Sequence, residues 1–128
     1  MENPSRKTEK YIKTLYLLMQ LSRKAYAKYL QNKIYLHASA ILAANQKIYQ
    51  HIISNLDRVP SEIEDEVLDI INHYDIWMLQ FREFEKLKKP DLKDEFIFYH
   101  IDENCAFPKD AEKTIFNYYQ QSINTFHE

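Results

Sequence analysis

The fold is decided by residues 61–90, which read SEIEDEVLDIINHYDIWMLQFREFEKLKKP. Apolar and aromatic residues recur in this stretch at alternating steps of four and three, as they do along the buried face of an α-helix. These residues are Ile63, Val67, Ile70, Tyr74, Trp77, Phe81 and Phe84. Ser61 and Glu64 have the spacing of a capping box, and Pro90 cannot continue a helix. The pattern predicts a helix over residues 61–88.

The chain of 128 residues contains no glycine. Tight hairpins, bulges and phosphate-cradling loops use glycine for its positive φ angles, so this composition disfavours sheet folds. It also argues against P-loops, dinucleotide fingerprints and nucleophile elbows, which need glycine at fixed positions. We therefore expect an all-α fold, with a single domain over residues 1–128 built as a bundle of four, or up to five, helices.

The remaining helices are predicted from the same periodicity. A first helix is expected over residues 5–33 and a last helix over residues 108–126, and a further periodic stretch covers residues 34–52. A continuous helix over residues 5–57 would be about 80 Å long, which is more than one domain can cover. We therefore expect a break around residues 32–38, although neither Pro nor Gly marks it.

A long connection, residues 91–107, precedes the last helix and exceeds an ordinary helix–helix link. It contains the aromatic run FIFYHI at residues 96–101, which has the composition of a strand. One interpretation is an extended segment that lies over the open end of the core. The other is pairing with the same segment of a second subunit, or with a partner protein. Phe96, Phe98 and Tyr99 are therefore candidate partner-binding residues.

The net charge of −2 conceals a strong asymmetry along the chain. Residues 1–59 hold ten Lys and Arg against three acidic residues, whereas residues 60–128 hold seven against sixteen. Either the basic and acidic helices pack side by side, or one charged face is kept for an outside partner.

Five basic residues of the first helix form a stripe opposite its apolar seam: Arg6, Lys10, Lys13, Lys24 and Lys28. A stripe of this kind suits a nucleic-acid backbone or an acidic protein surface, and it is also the usual state of a solvated helix. These five residues are candidate partner-binding residues.

Five polar residues form a possible cluster between helices: His37, Asn45, His51, His73 and Asp75. Asn45 lies in an apolar seam, so it needs a partner such as Ser22, a tyrosine hydroxyl, water or a ligand, or it acts as a register device. Asp69 and His73 have a spacing that could supply two metal ligands from one helix. Residues 10–56 contain no Asp or Glu, however, so we expect no metal centre.

Cys105 is the single cysteine, so the chain cannot form an internal disulfide, and a reducing compartment is favoured. Its acidic neighbours Asp102 and Glu103 disfavour a reactive thiolate. No apolar run approaches the length of a membrane span, and the N-terminus begins polar. We expect a cytoplasmic protein without membrane attachment and without a cofactor.

The expected shape, a small helical bundle with a long connection before its last helix, resembles that of prokaryotic HEPN-type domains, some of which are RNases. The marker of those domains is an Arg followed, after four to six intervening residues, by a His. None of the four arginines has a His at that spacing; they are Arg6, Arg23, Arg58 and Arg82. The resemblance thus implies a fold and no nuclease activity.

The aromatic surplus and the lack of a recognisable catalytic constellation indicate binding rather than catalysis. We expect a non-enzymatic interaction or regulatory module that binds a protein partner and associates with itself, for example as a homodimer. The second hypothesis is a nucleic-acid-binding protein that uses the basic stripe. The third is a HEPN-like enzyme whose polar cluster converges in space from different helices.

Overall fold

The fold is all-α, as the sequence predicts. The computed structural model describes residues 6–98 and 109–127, with the side chains of 6–98 and 110–121. Within these ranges the chain forms four α-helices and two short 3-10 turns. The helices are α1 (Arg6–Gln31), α2 (Tyr35–Ile53), α3 (Glu64–Lys88) and α4 (Lys109–His127), and the turns are Leu56–Arg58 and Ser61–Ile63.

A three-residue link separates α1 from α2, which confirms the expected break. Ile34 is extended in the N-cap position of α2, where no side chain caps the helix, and it forms an antiparallel bridge with Glu95. The first N–H groups of α2 are satisfied from the same distant segment. Tyr35 N–H donates to the carbonyl of Asp94 (2.9 Å), and Leu36 N–H donates to that of Leu92 (2.8 Å). Backbone pairing therefore replaces the missing cap.

The start of α3 differs from the prediction. Ser61 does not cap the helix but opens a 3-10 turn, in which Ile63 N–H donates to the carbonyl of Pro60 (3.1 Å). The helix begins at Glu64, and Ile63 takes the N-cap position without a side-chain hydrogen bond. Ile63 is 1% exposed, so the tight turn carries its side chain into the core. Burial of this isoleucine outweighs the gain from a polar cap.

The end of α3 agrees with the prediction. Lys89 has a left-handed conformation (φ 45°), and its N–H donates to the carbonyl of Glu85 (2.9 Å). Many helices place glycine at this position. A chain without glycine fills it with lysine, at a steric cost of about 1–2 kcal/mol. Pro90 then prevents continuation of the helix.

The four helices form a bundle in which α2 and α4 each pack against both α1 and α3. Consequently α1 and α3 stand at opposite corners. The interior divides into two apolar clusters along the bundle. The first cluster contains Tyr11, Ile12, Leu15, Met19, Ile48, Ile52, Ile63, Val67, Ile70, Tyr74, Ala111 and Ile115. The second cluster contains Tyr29, Ala38, Ile41, Leu42, Trp77, Phe81 and Phe96.

The described part of the aromatic segment, residues 96–98, packs against the second cluster, which agrees with the first of its two interpretations for these three residues. Phe96 is buried between the rings of Tyr35, Phe81 and Phe84, with centroid distances of 5.2, 5.3 and 4.9 Å. Its N–H donates to the carbonyl of Lys33 (2.9 Å). Pairing with a second subunit stays a prediction, and Tyr99 lies outside the described residues.

Tyr29 fixes this segment from α1. Its hydroxyl donates to the carbonyl of Phe96 (2.7 Å) and accepts from the N–H of Phe98 (3.1 Å). Tyr29 and the hydrogen bond to Phe96 are buried, where an unsatisfied backbone group is costly, and the hydrogen bond from Phe98 is partly buried. One tyrosine hydroxyl therefore satisfies a backbone group of each of the two aromatic residues.

Replacement of Phe81 by Ala should lower the free energy of unfolding by about 3–5 kcal/mol, because it empties a position packed by three other rings. Urea denaturation followed by circular dichroism measures the loss. Leu87, which is 76% exposed, provides the control, and Leu87→Ala should stay within about 0.5 kcal/mol of the parent. Equal effects of the two substitutions would contradict the assigned core.

Replacement of Tyr29 by Phe should cost about 1–3 kcal/mol, because the buried Phe96 carbonyl and Phe98 N–H lose their partner. Hydrogen exchange at the Phe98 amide should accelerate together with the loss of stability. Tyr26→Phe, at an exposed tyrosine of the same helix, is the matched control. An unchanged exchange rate in Tyr29→Phe would show that this hydrogen bond does not hold the segment.

Candidate functional site

A cleft of about 1100 Å³ lies between the two apolar clusters. Helices α1 and α3 form its walls, α2 forms its floor, and the first half of α4 closes one end. Most of the lining is apolar or aromatic, and the residues used below are Tyr16, Tyr26, Leu30, Ile41, Trp77 and Phe116. The cleft exists because α1 and α3 stand at opposite corners, and α4 fills only part of the space between them.

Polar side chains line the cleft where the two clusters meet. Ser22 Oγ donates to Asn45 Oδ1 at 2.7 Å. This hydrogen bond gives Asn45 one of the partners that its position in an apolar seam predicts. Tyr74 also forms a side-chain hydrogen bond with Ser22. Burial raises the pKa of the Tyr74 hydroxyl well above its usual range, against the opposing effects of Ser22 and the Arg23 charge. His73, from the same turn of α3, is buried beside it. We call Ser22, Asn45, His73 and Tyr74 the polar layer.

The rim of the cleft is charged and aromatic. Arg23 of α1 forms a salt bridge with Glu112 of α4, and Lys113 also lines this end. Tyr16 contacts the rings of Phe116 and Tyr119 at centroid distances of 5.3 and 5.0 Å. These contacts attach α4 to α1 through one ion pair and two ring pairs. The rim therefore carries two cations, Arg23 and Lys113, and one carboxylate, Glu112.

The structure brings only two of the five predicted cluster residues to the cleft, namely Asn45 and His73. His51 lies elsewhere, stacked on Tyr11 (centroid distance 4.8 Å), with its Nε2 3.0 Å from the Tyr11 carbonyl oxygen. His37 is half-buried in the first turn of α2 and lines no described cavity.

Asp75 lies on the exposed side of α3 and hydrogen-bonds Tyr49. This contact raises the pKa of the tyrosine hydroxyl, because the carboxylate accepts its proton in the hydrogen bond and repels the phenolate. Among the residues that the structure describes, no group of three or more His, Cys, Asp or Glu could hold a metal ion.

The basic stripe is exposed at all five positions: Arg6, Lys10, Lys13, Lys24 and Lys28. None of them forms a salt bridge within the described residues. Two leucines stand among the lysines, Leu17 at 54% and Leu21 at 44% exposure. We call these seven residues the basic face of α1. Its lysines are about 27 Å apart from first to last at 1.5 Å per residue.

The outer side of α3 has the opposite character. Glu64, Asp65, Asp69 and Asp75 are exposed there together with Leu68 (51%) and Leu79 (62%). We call these six residues the acidic face of α3. Because α1 and α3 occupy opposite corners, the two faces point away from each other. In the described residues, Arg23–Glu112 is the single salt bridge between helices, so the basic and acidic halves are joined by one ion pair there, and neither the basic face nor the acidic face takes part in it.

The cleft and its rim were not predicted from the sequence. Arg23, Glu112 and Trp77 line it, yet no local pattern marks them as a group. A usable signal was present in the seams, because each of the first three helices carries a polar residue midway along its apolar face. These residues are Ser22, Asn45 and His73. Three such interruptions predict a polar layer once the helices are aligned.

No protein-family model, curated protein or solved structure matches this chain. The resemblance in shape to HEPN-type domains has no support from these comparisons. No helix among the described residues combines the length and the apolar character needed to cross a membrane.

Burial raises the pKa of Tyr11 from 10.0 to about 12, and its hydroxyl has no hydrogen-bond partner among the described residues. The folded protein then keeps Tyr11 protonated where the unfolded chain ionises it. Its contribution to stability is complete below pH 10 and is lost as the pH rises through 12. Tyr11→Phe should lose less stability than the parent over this interval, and at neutral pH it should be no less stable.

Denaturant titrations of the two proteins at a series of alkaline pH values measure this difference. Parallel losses in parent and variant would exclude Tyr11 as a source of alkaline instability.

Proposed function

We propose that this protein is a non-enzymatic interaction module whose basic face on α1 binds an acidic, leucine-bearing protein surface. The observation that carries the proposal is that the cations of this face are exposed and unpaired by carboxylates within the described part of the chain. Clustered cations of this kind gain from a partner of complementary potential.

The exposed leucines favour a protein over a nucleic acid. Leu17 and Leu21 lie among the lysines, with about half of each side chain in water. A sugar–phosphate backbone would neutralise the lysines but would offer these leucines no apolar partner. A protein surface can do both, because interfaces combine apolar contacts with a charged rim.

The acidic face of α3 on a second copy has the required chemistry. It presents four carboxylates, and Leu68 and Leu79 are exposed among them. Since the two faces of one molecule point in opposite directions, their association would run head to tail and would not stop at a dimer. The average mass should therefore rise with concentration and fall with added salt.

Charge reversal tests the proposal. Lys13→Glu with Lys24→Glu lowers the charge of the basic face from +5 to +1, and Asp65→Lys with Asp69→Lys raises the charge of the acidic face from −4 to 0, so each double variant alone should be monomeric by light scattering. An equimolar mixture should form a one-to-one complex, because the unchanged acidic face of the first variant then meets the unchanged basic face of the second. The matched control is Lys47→Glu with Lys93→Glu, which changes the same charge at exposed positions outside both faces and should behave as the parent does.

The alternatives give different results. A parent that stays monomeric at low salt and high concentration overturns the proposal. If that monomer also binds duplex DNA or RNA, and Lys13→Glu with Lys24→Glu abolishes the binding, the nucleic-acid hypothesis takes its place.

A further inference from the structure

The cleft is too large to be a packing defect. Packed interiors contain few voids larger than a water molecule, whereas sites for small organic molecules usually enclose about 300–1000 Å³. The volume here is about 1100 Å³. It lies between the two clusters, and side chains of both line it without filling it, among them Met19, Ile41 and Trp77.

The walls are suited to a flat apolar body. Tyr16, Tyr26, Trp77 and Phe116 line the cleft from three different helices, together with the aliphatic residues Leu30 and Ile41. Trp77 is held in place by its stacking on Phe81 (centroid distance 5.2 Å) and by the edge of Phe98 (5.7 Å). Rigid rings of this kind bind aromatic groups at a small cost in conformational entropy.

The polar layer and the rim define where polar atoms of a ligand belong. Asn45 lines the cleft, and its Oδ1 already accepts from Ser22, so the Nδ2 group is the part of the amide that can donate to a ligand oxygen. At the rim, Arg23 and Lys113 outnumber the carboxylate of Glu112. This balance favours a ligand with an anionic group.

We propose that the central cleft is a binding site for a small anionic aromatic molecule, with its ring system between Tyr26 and Trp77 and its acidic group near Arg23 and Lys113. The site is distinct from the basic face, because none of the seven residues of the basic face lines the cleft. Loss of self-association and loss of this binding are therefore separable.

Anilinonaphthalene sulfonate is the probe, and its uncharged parent, anilinonaphthalene, tests the role of the charge. Trp77 is the only tryptophan, so energy transfer from it to the dye reports binding at the cleft. We expect saturable binding of one dye per chain, with the sulfonate binding more tightly than the uncharged dye. Lys113→Gln should weaken the sulfonate and leave the uncharged dye unchanged.

Ala27→Phe places a phenyl ring in the cleft from an exposed position and should weaken both dyes about tenfold or more. Ala43→Phe is the matched control, at an exposed alanine of α2 outside the cleft, and should bind as the parent does. Thermal melts followed by circular dichroism verify that both variants fold. Binding that is equal in parent and folded Ala27→Phe, or that lacks energy transfer from Trp77, overturns the proposal.

Discussion

The hydrogen bond between Ser22 and Asn45 is the constraint on which the arrangement of this bundle depends. A buried amide in an apolar seam is costly without a partner, so the two helices are favoured in the register that brings the two side chains together. That register, along the pair of described helices with the most extensive contact, places the start of α1 in the first cluster and its end in the second. Ser22 and Asn45 also line the cleft, so the same polar contact contributes to both the packing and the candidate site.

The cleft follows from the way in which the remaining elements cover the α1–α2 pair. Helix α3 packs mainly on α2 and α4, and it contacts α1 through the hydrogen bond between Tyr74 and Ser22. Helix α4 joins α1 at one end through the Tyr16 ring contacts and the Arg23–Glu112 ion pair. At the other end, the segment around Phe96 is held by Tyr29 and by the N-terminus of α2. Helix α4 therefore closes one end of the bundle, and the segment around Phe96 closes the other. The cleft between them is lined by aromatic rings and by the polar layer.

The basic face of α1 and the acidic face of α3 lie outside the packed interior. The interior contacts are mainly apolar apart from the polar layer, whereas Arg23 and Glu112 form an ion pair at the rim of the cleft. The two proposals use these regions separately. The proposed self-association uses the charge and the exposed leucines of the two faces, and the proposed ligand site uses the shape and the aromatic rings of the cleft.

The sequence by itself determined the helical class, the end of α3 and the need of Asn45 for a partner, because periodicity, proline and the cost of a buried amide act locally. The break before α2 followed from chain length, since a single domain cannot cover one continuous helix over residues 5–57. The sequence did not determine the 3-10 turn at Ser61, since burial of Ile63 overrode the capping preference. Only the tertiary structure decided that Asn45 and His73 share a cleft while His37, His51 and Asp75 lie elsewhere. Distances between helices depend on which corners they occupy, and no spacing along the chain encodes that choice.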